Sequence, residues 1–187
     1  MSHVIQGERI FLRPLEAADA ELYRRWRADA LPMALAGWRD PAPMSLAAVQ
    51  ARIERLAKDQ GDYLYNFVIC LLADERPIGE VMLADVDRRN GSAEVGIFIG
   101  EPEEWGKGYG TEALRALVDF GFGELRLERI WLEVWTENAR ARRAYEKAGF
   151  ALEGTIRNDR YEFGVLTSGD IMSVLRDEWL APHHPGG

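Results

Sequence analysis

A glycine-rich turn between an apolar strand and a helix is the feature that most constrains this chain. The run from Ile97 to Glu112 reads IFIGEPEEWGKGYGTE. Three of its residues, Gly106, Gly108 and Gly110, lack a Cβ atom, so the backbone can adopt positive φ angles and approach a bulky ligand closely. The N-terminus of the helix that follows would attract negative charge. The pattern predicts a backbone site for a phosphate group, although a turn without a ligand has the same composition.

Two common phosphate-binding motifs do not fit this spacing. A Walker-type loop needs Ser or Thr directly after its Gly-Lys pair, whereas Gly108 follows Lys107 here. A dinucleotide-binding fingerprint needs the spacing Gly-x-Gly-x-x-Gly. This run has Gly-x-Gly-x-Gly instead, and it comes after strands that read as antiparallel. The spacing therefore argues against both classes of nucleotide site.

Length and charge exclude several classes of function. The chain has 187 residues, which suits one domain, and a formal net charge of −8. The acidic balance argues against a nucleic-acid partner, which needs a basic face, and would suit a cationic partner. No apolar run is long enough to span a bilayer, and residues 1–7 lack the features of a signal peptide. We therefore expect a cytoplasmic protein with no membrane partner.

Histidine and cysteine placement narrows the chemistry further. The histidines, His3, His183 and His184, all lie near the chain ends. This placement argues against a histidine base in the core, a catalytic triad and a zinc site, so we expect no metal. The single cysteine, Cys70, lies in an apolar run, which favours a buried strand position over a nucleophile.

The order of apolar patterns predicts a mixed α/β (α+β) fold in one domain over residues 4–180, followed by a disordered tail at 181–187. Strands are predicted at Arg9–Pro14, Tyr63–Ala73, Pro77–Asp87, Ser92–Ile99, Arg129–Trp135, Phe150–Ile156 and Asp170–Leu175. Helices are predicted at Ala17–Ala28, Ser45–Lys58, Thr111–Phe122 and Asn138–Ala148. Asn90-Gly91 predicts a hairpin turn.

A proline-rich segment separates the first two predicted helices. Residues 31–44 contain three prolines and a glycine together with Met33 and Trp38. Such a segment either folds over the core or forms a lid on the substrate side. In the second case Met33 and Trp38 are the candidate acceptor contacts.

Two segments together resemble the GNAT N-acetyltransferase superfamily over essentially the whole chain. The first, WGKGYG at residues 105–110, is similar to the loop that binds the diphosphate of acetyl-CoA. The second, NARARRAYEKAGF at residues 138–150, is similar to the helix of that family with the pattern Asn-x-x-Ala-x-x-x-Tyr. The family loop usually begins with Gln or Arg, and this chain has Trp105 there. The amino-acid sequences of the loop and of both chain ends are similar to those of the ribosomal-protein-alanine N-acetyltransferase branch. That branch also includes enzymes that act on small amines and antibiotics.

The resemblance implies a mostly antiparallel sheet that is splayed at the cofactor site and flanked by about four helices. The strand near residues 95–99 would part from the strand at residues 129–135, and the pantetheine arm of acetyl-CoA would lie in the gap. The implied cofactor-binding residues are Ile97, Phe98, Ile99, Trp105, Gly106, Lys107, Gly108, Tyr109, Gly110, Thr111, Asn138 and Arg143. Arg140 and Arg142 are further basic residues that either meet phosphate or face water.

The resemblance also implies catalytic roles. Tyr145 would donate a proton to the leaving thiolate, although its helical spacing taken alone favours a core position. Asn138 is an N-cap, a cofactor contact, or both. Because the core lacks histidine, the general base would be a carboxylate acting through water, Glu94 first and Glu133 in reserve. Either carboxylate also fits a solvated surface position.

The expected activity is transfer of the acetyl group of acetyl-CoA to a primary amine by direct attack in a ternary complex. A protein N-terminal amine is the leading acceptor, and a polyamine or an aminoglycoside is the alternative. An acyl-CoA-binding sensor module without catalysis is the alternative from another class. Edge strands also allow a homodimer.

Overall fold

The computed structural model describes residues 5–28, 44–162 and 164–181. Eight strands are present in these ranges: β1 Ile5–Gln6, β2 Ile10–Pro14, β3 Tyr65–Leu71, β4 Pro77–Asp87, β5 Ser92–Ile99, β6 Arg129–Trp135, β7 Ala151–Glu162 and β8 Val165–Leu175. Five α-helices accompany them: α1 Ala20–Ala28, α2 Leu46–Asp59, α3 Tyr109–Gly123, α4 Ala139–Lys147 and α5 Arg176–Leu180. No helix within these ranges is long and apolar enough to cross a membrane.

All eight strands form one sheet in the order β1-β2-β3-β4-β5-β6-β8-β7. Every neighbouring pair is antiparallel except β5 and β6, which are parallel. The Asn90-Gly91 turn joins β4 to β5, and the side chain of Asp87 accepts hydrogen bonds from the backbone N–H groups of Arg89 and Asn90. The mixed, mostly antiparallel sheet confirms the expected fold class.

The sheet is covered by helices on both faces. On one face α3 and α4 bury an apolar cluster that includes Leu114, Leu117 and Phe122. Each of these side chains is almost completely removed from water, which stabilises the fold by about 1.5–3 kcal/mol per residue. On the other face α1 and α2 pack on β3 and β5 through a second cluster. The helix α3, which begins at the glycine turn, is thus fixed to the sheet by its apolar side.

The C-terminal third differs from the sequence prediction. The two closing strands extend to Ala151–Glu162 and Val165–Leu175, beyond the predicted Phe150–Ile156 and Asp170–Leu175. Most of β7 is exposed, so no apolar alternation marks its outer half, and cross-strand pairing with β8 extends it instead. The short helix α5 and the two-residue strand β1 were also not predicted.

Candidate active site

The glycine turn has the conformation that its composition predicts. Gly106 and Gly108 have φ angles of +78° and +89°, in the left-handed region that favours glycine. Gly108 is the N-cap of α3. Within the described part of the chain, no carbonyl or side chain accepts a hydrogen bond from the N–H groups of residues 106–111. These donors, at a helix N-terminus, form a site suited to an anion.

Arg9 supports this turn through one of its carbonyl groups. Its Nη1 donates to the carbonyl oxygen of Lys107 at 3.0 Å, and its Nε donates to Glu112 Oε2 at 2.9 Å. The guanidinium also lies over the ring of Tyr109, 4.8 Å from the centroid. The chain just before strand β2 is therefore connected to the glycine turn and to the first turn of α3 by one side chain.

A second set of contacts fixes the start of the turn. The carboxylate of Glu104 is buried and accepts hydrogen bonds from Arg76 Nη2 at 2.6 Å and Lys107 Nζ at 2.9 Å. These two cations hold the pKa of Glu104 below its usual value. The Lys107 amine consequently points back to Glu104, and Lys107 is not among the residues that line the adjoining cleft.

The sheet opens beside the turn. Strands β5 and β6 pair only at Ser92–Arg129, Ala93–Ile130 and Glu94–Trp131. Beyond Glu94 the two strands separate, as the resemblance implied. A cleft of about 350 Å³ lies in this region and reaches the glycine turn and helix α4. It is lined by Ile97, Phe98, Ile99, Glu104, Trp105, Gly106, Gly108, Tyr109, Gly110, Thr111, Leu114, Asn138, Arg140, Ala141, Arg143, Ala144, Tyr145 and Lys147.

Helix α4 forms one wall of the cleft. Asn138 is buried and caps the helix, because its Oδ1 accepts from the N–H of Ala141 at 3.1 Å. Arg143 and Tyr145 of this helix both line the cleft. The ring of Tyr145 packs edge-on against Phe150, and burial raises the pKa of its hydroxyl to about 12. Within the described residues this hydroxyl has no hydrogen-bond partner, so it is a protonated donor without an internal acceptor.

The two candidate bases occupy different surroundings. Glu94 is partly buried at the point where β5 and β6 separate, and its pKa is raised by burial and by the nearby Asp85. Glu133 instead forms an ion pair with Arg160 of β7. Neither carboxylate lines the cleft itself. Glu94 thus keeps the more suitable environment for a general base.

The predicted site residues and the residues that line the cleft overlap only in part. Met33 and Trp38 lie outside the described residues. Five lining residues, Glu104, Leu114, Ala141, Ala144 and Lys147, were not named as site residues from the sequence, and neither was the support from Arg9. The helical spacing of Ala141, Ala144 and Tyr145 on one face of α4 was the signal that could have identified two of the wall residues.

Comparison with known proteins agrees with this geometry. Residues 9–151 match the family described as the acetyltransferase (GNAT) domain. The chain belongs to the GNAT acetyltransferase family. It is therefore an acetyl-transferring enzyme, as the sequence predicts, and its cosubstrate is a coenzyme A thioester.

Individual relatives extend over nearly the whole chain. The probable N-acetyltransferase YjcK of Bacillus subtilis is 32% identical over 182 residues, which is 94% of this chain and 98% of that protein. The spermidine N(1)-acetyltransferase of Escherichia coli is 28% identical over 176 residues, which is 94% of this chain and 91% of that protein. A crystal structure of the spermidine N-acetyltransferase of Vibrio cholerae, in complex with CoA and spermine, superimposes with a TM-score of 0.84 at 26% identity, covering 92% of this chain and 98% of that one.

Proposed function

We propose that this enzyme transfers the acetyl group of acetyl-CoA to a primary amine of a small polycation of the spermidine class. The proposal depends on one observation: a single cleft joins the bare N–H groups of the glycine turn to the Tyr145 hydroxyl, where β5 and β6 separate. Such a cleft can hold a phosphate at one end and a reacting thioester at the other. The reaction is a direct attack of the amine on the thioester carbonyl within a ternary complex.

The donor binds along the cleft in an extended form. The N–H groups of residues 106–111 bind its diphosphate, with the N-terminal dipole of α3 adding to the attraction. The pantetheine arm lies beside Ile97–Ile99, in the place of the strand pairing that β5 and β6 lack. Asn138 and Arg143 contact the donor from α4. This arrangement fixes the thioester next to Tyr145.

Tyr145 stabilises the leaving group. A thiol has an ordinary pKa of about 8.5, below the pKa of about 12 of this hydroxyl, so the proton stays on Tyr145 when the thiolate forms. Tyr145 therefore stabilises the developing thiolate by donating a hydrogen bond to it, and the released thiolate takes its proton from solvent. Because the hydroxyl has no internal acceptor within the described residues, this donation breaks no existing hydrogen bond.

Glu94 removes a proton from the acceptor ammonium through a water molecule. Burial and Asp85 raise its pKa, which makes it a better base than a free carboxylate. Glu133 is the weaker candidate, because its carboxylate is already held by Arg160. The exposed Asp85 carboxylate adds negative charge on the same side, which favours a cationic acceptor.

The choice of a polyamine rests on similarity and charge. Relatives that span more than nine-tenths of the chain carry the name spermidine acetyltransferase, and one crystal structure contains spermine. The net charge of −8 also suits a polycation. This support favours a polyamine over the protein N-terminal amine that the loop sequence suggested. The N-terminal amine remains the second acceptor to test.

The deciding experiment measures thiol release from acetyl-CoA with matched acceptors. The panel contains spermidine, spermine, an aminoglycoside and a peptide with a free N-terminal alanine. We expect turnover with spermidine or spermine to exceed turnover with the peptide by at least about 100-fold in kcat/KM. Faster turnover with the peptide would overturn the acceptor assignment. Tight CoA binding without turnover on any acceptor would instead indicate a sensor module.

A further inference from the structure

The first residue of the glycine turn is unusual and is fixed in place. Where the resembling family usually has Gln or Arg, this chain has Trp105. Its indole Nε1 donates to the carbonyl oxygen of Ile99 at 2.9 Å. The ring is therefore held at the end of β5 beside the bare N–H groups. An indole cannot supply the charge that the usual arginine would bring to a phosphate.

A cation from the opposite wall lies on this ring. The guanidinium carbon of Arg140, near the N-terminus of α4, is 3.9 Å from the centroid of the Trp105 ring. Both residues line the cleft together with Gly106 and Gly108. Within the described residues, Arg140 forms no ion pair with a carboxylate. A cation that lacks a counter-ion beside free N–H donors points to an anionic ligand.

We propose that Arg140, supported by the Trp105 ring, contacts the diphosphate of the donor. A cation that an arginine would place on the loop is thus supplied from α4, across the cleft. A guanidinium is planar, so it stacks through one face while its N–H groups donate in the plane of the group. Stacking on Trp105 therefore leaves the donors available and restricts their direction. This inference rests on the proposed use of a CoA thioester and is independent of the acceptor.

Calorimetric binding to three ligands tests the proposal. The ligands are CoA, dephospho-CoA, which lacks only the 3′-phosphate, and pantetheine, which lacks every nucleotide phosphate. The variants are Arg140→Ala, Arg140→Lys and Trp105→Leu. Arg24→Ala is the matched control, because it removes an exposed arginine on α1 that pairs only with Glu21 in the described residues. Circular dichroism and melting temperatures establish that each variant is folded.

We expect Arg140→Ala to weaken CoA and dephospho-CoA binding by the same factor, about 10- to 30-fold, and to leave pantetheine binding unchanged. Arg140→Lys keeps the charge but not the planar stack, so its CoA affinity should fall less, by about threefold to fivefold. The CoA affinity of Trp105→Leu should fall by about threefold to tenfold, because the ring no longer orients the cation. Arg24→Ala should bind all three ligands as the wild type does.

A double variant that moves the cation from α4 to the loop adds an independent test. In Trp105→Arg combined with Arg140→Ala, the cation returns to the loop, and we expect CoA affinity within about threefold of the wild type. Loss with CoA but not with dephospho-CoA would overturn the diphosphate assignment, because it would place Arg140 on the 3′-phosphate. Equal binding by Arg140→Ala and wild type would also overturn it. Failure of the wild type to bind CoA at all would contradict the proposed function itself.

Discussion

Single side chains in and beside the cleft carry separable parts of the proposed reaction. Tyr145 and Glu94 differ in burial and in pKa, and each difference has a kinetic consequence. The tyrosine hydroxyl, with a pKa of about 12, stays protonated at neutral pH. The pKa of the glutamate, in contrast, is raised by burial, so it takes up a proton at a higher pH than a free carboxylate does.

The change Tyr145→Phe should lower kcat by about 100-fold, because the leaving thiolate loses its hydrogen-bond donor. The KM for the donor should change by less than about threefold. Stability should stay within about 0.5 kcal/mol, since phenylalanine keeps the packing against Phe150 and removes a hydroxyl without an internal partner. Steady-state kinetics and thermal melting check both effects. Wild-type turnover in this variant would remove Tyr145 from the acid role.

The acidic limb of the pH profile should belong to Glu94. Because burial and Asp85 raise its pKa, its carboxyl group stays protonated to a higher pH than a free glutamate does. The basic form is therefore lost as the pH falls through this raised value, and kcat/KM should decline there. In Glu94→Gln the acidic decline of kcat/KM should disappear, and the maximum value of kcat/KM should fall. Glu133→Gln is the control, and transfer of the effect to that variant would identify Glu133 as the base.

At the level of secondary structure, the glycine turn depends on elements that are distant in sequence. Arg9 comes directly before strand β2, and Glu104 comes from the segment between β5 and α3. These contacts hold the turn without any ligand. A turn held in this way would bind the proposed diphosphate with little further ordering cost.

Removal of the Arg9 side chain should weaken CoA binding more than it weakens the fold. Half of this side chain is exposed (50%), so its ion pair with Glu112 contributes about 0.2–1 kcal/mol to stability. Glu112 keeps its hydrogen bonds from the backbone of residues 9 and 10. In Arg9→Ala we expect CoA affinity to fall about fivefold to tenfold, because the carbonyl of Lys107 is released.

The matched variant is Arg13→Ala, four residues further along the chain within strand β2. Arg13 forms a more buried ion pair with Asp19, away from the cleft. This variant should lose more stability than Arg9→Ala and should bind CoA normally. Calorimetry and melting of the two variants separate the effects. Equal CoA binding by both would show that Arg9 does not position the turn.

Replacing glycine by alanine should lower stability at the turn but not at the far end of the same helix. Gly108→Ala places a Cβ at a φ of +89° and 3.2 Å from Arg9 Nη2. The strain should lower stability by about 1–2 kcal/mol and should reduce CoA affinity. Gly123→Ala meets open space at the end of α3 and should raise stability by about 0.5–1 kcal/mol. A melting temperature for Gly108→Ala at or above the wild-type value would contradict this account.

At the level of the whole molecule, the sequence predicts most of the fold and one side of the site. The bounds of β4, β5 and β6 match the prediction, because their apolar patterns and the Asn90-Gly91 turn are local signals. The contact of Arg9 with Glu112 spans 103 residues and leaves no local pattern. The direction of Lys107 is set by Glu104, which in turn depends on Arg76 from a different turn. Such contacts become visible only when the chain is folded.

The parallel junction of β5 and β6 has a mechanical consequence. Among the described residues, three β5–β6 residue pairs join strands β1–β5 to strands β6, β8 and β7. The gap between β5 and β6 beyond these pairs forms a seam that a donor molecule would bridge. Occupancy of the seam should raise the unfolding free energy by about 2.7 kcal/mol at a donor concentration 100 times Kd. Amide exchange should slow most in residues 95–99 and 132–135, which flank the seam. The coenzyme would then act as a removable ninth strand, and the rigidity of the enzyme would follow its supply of acetyl donor.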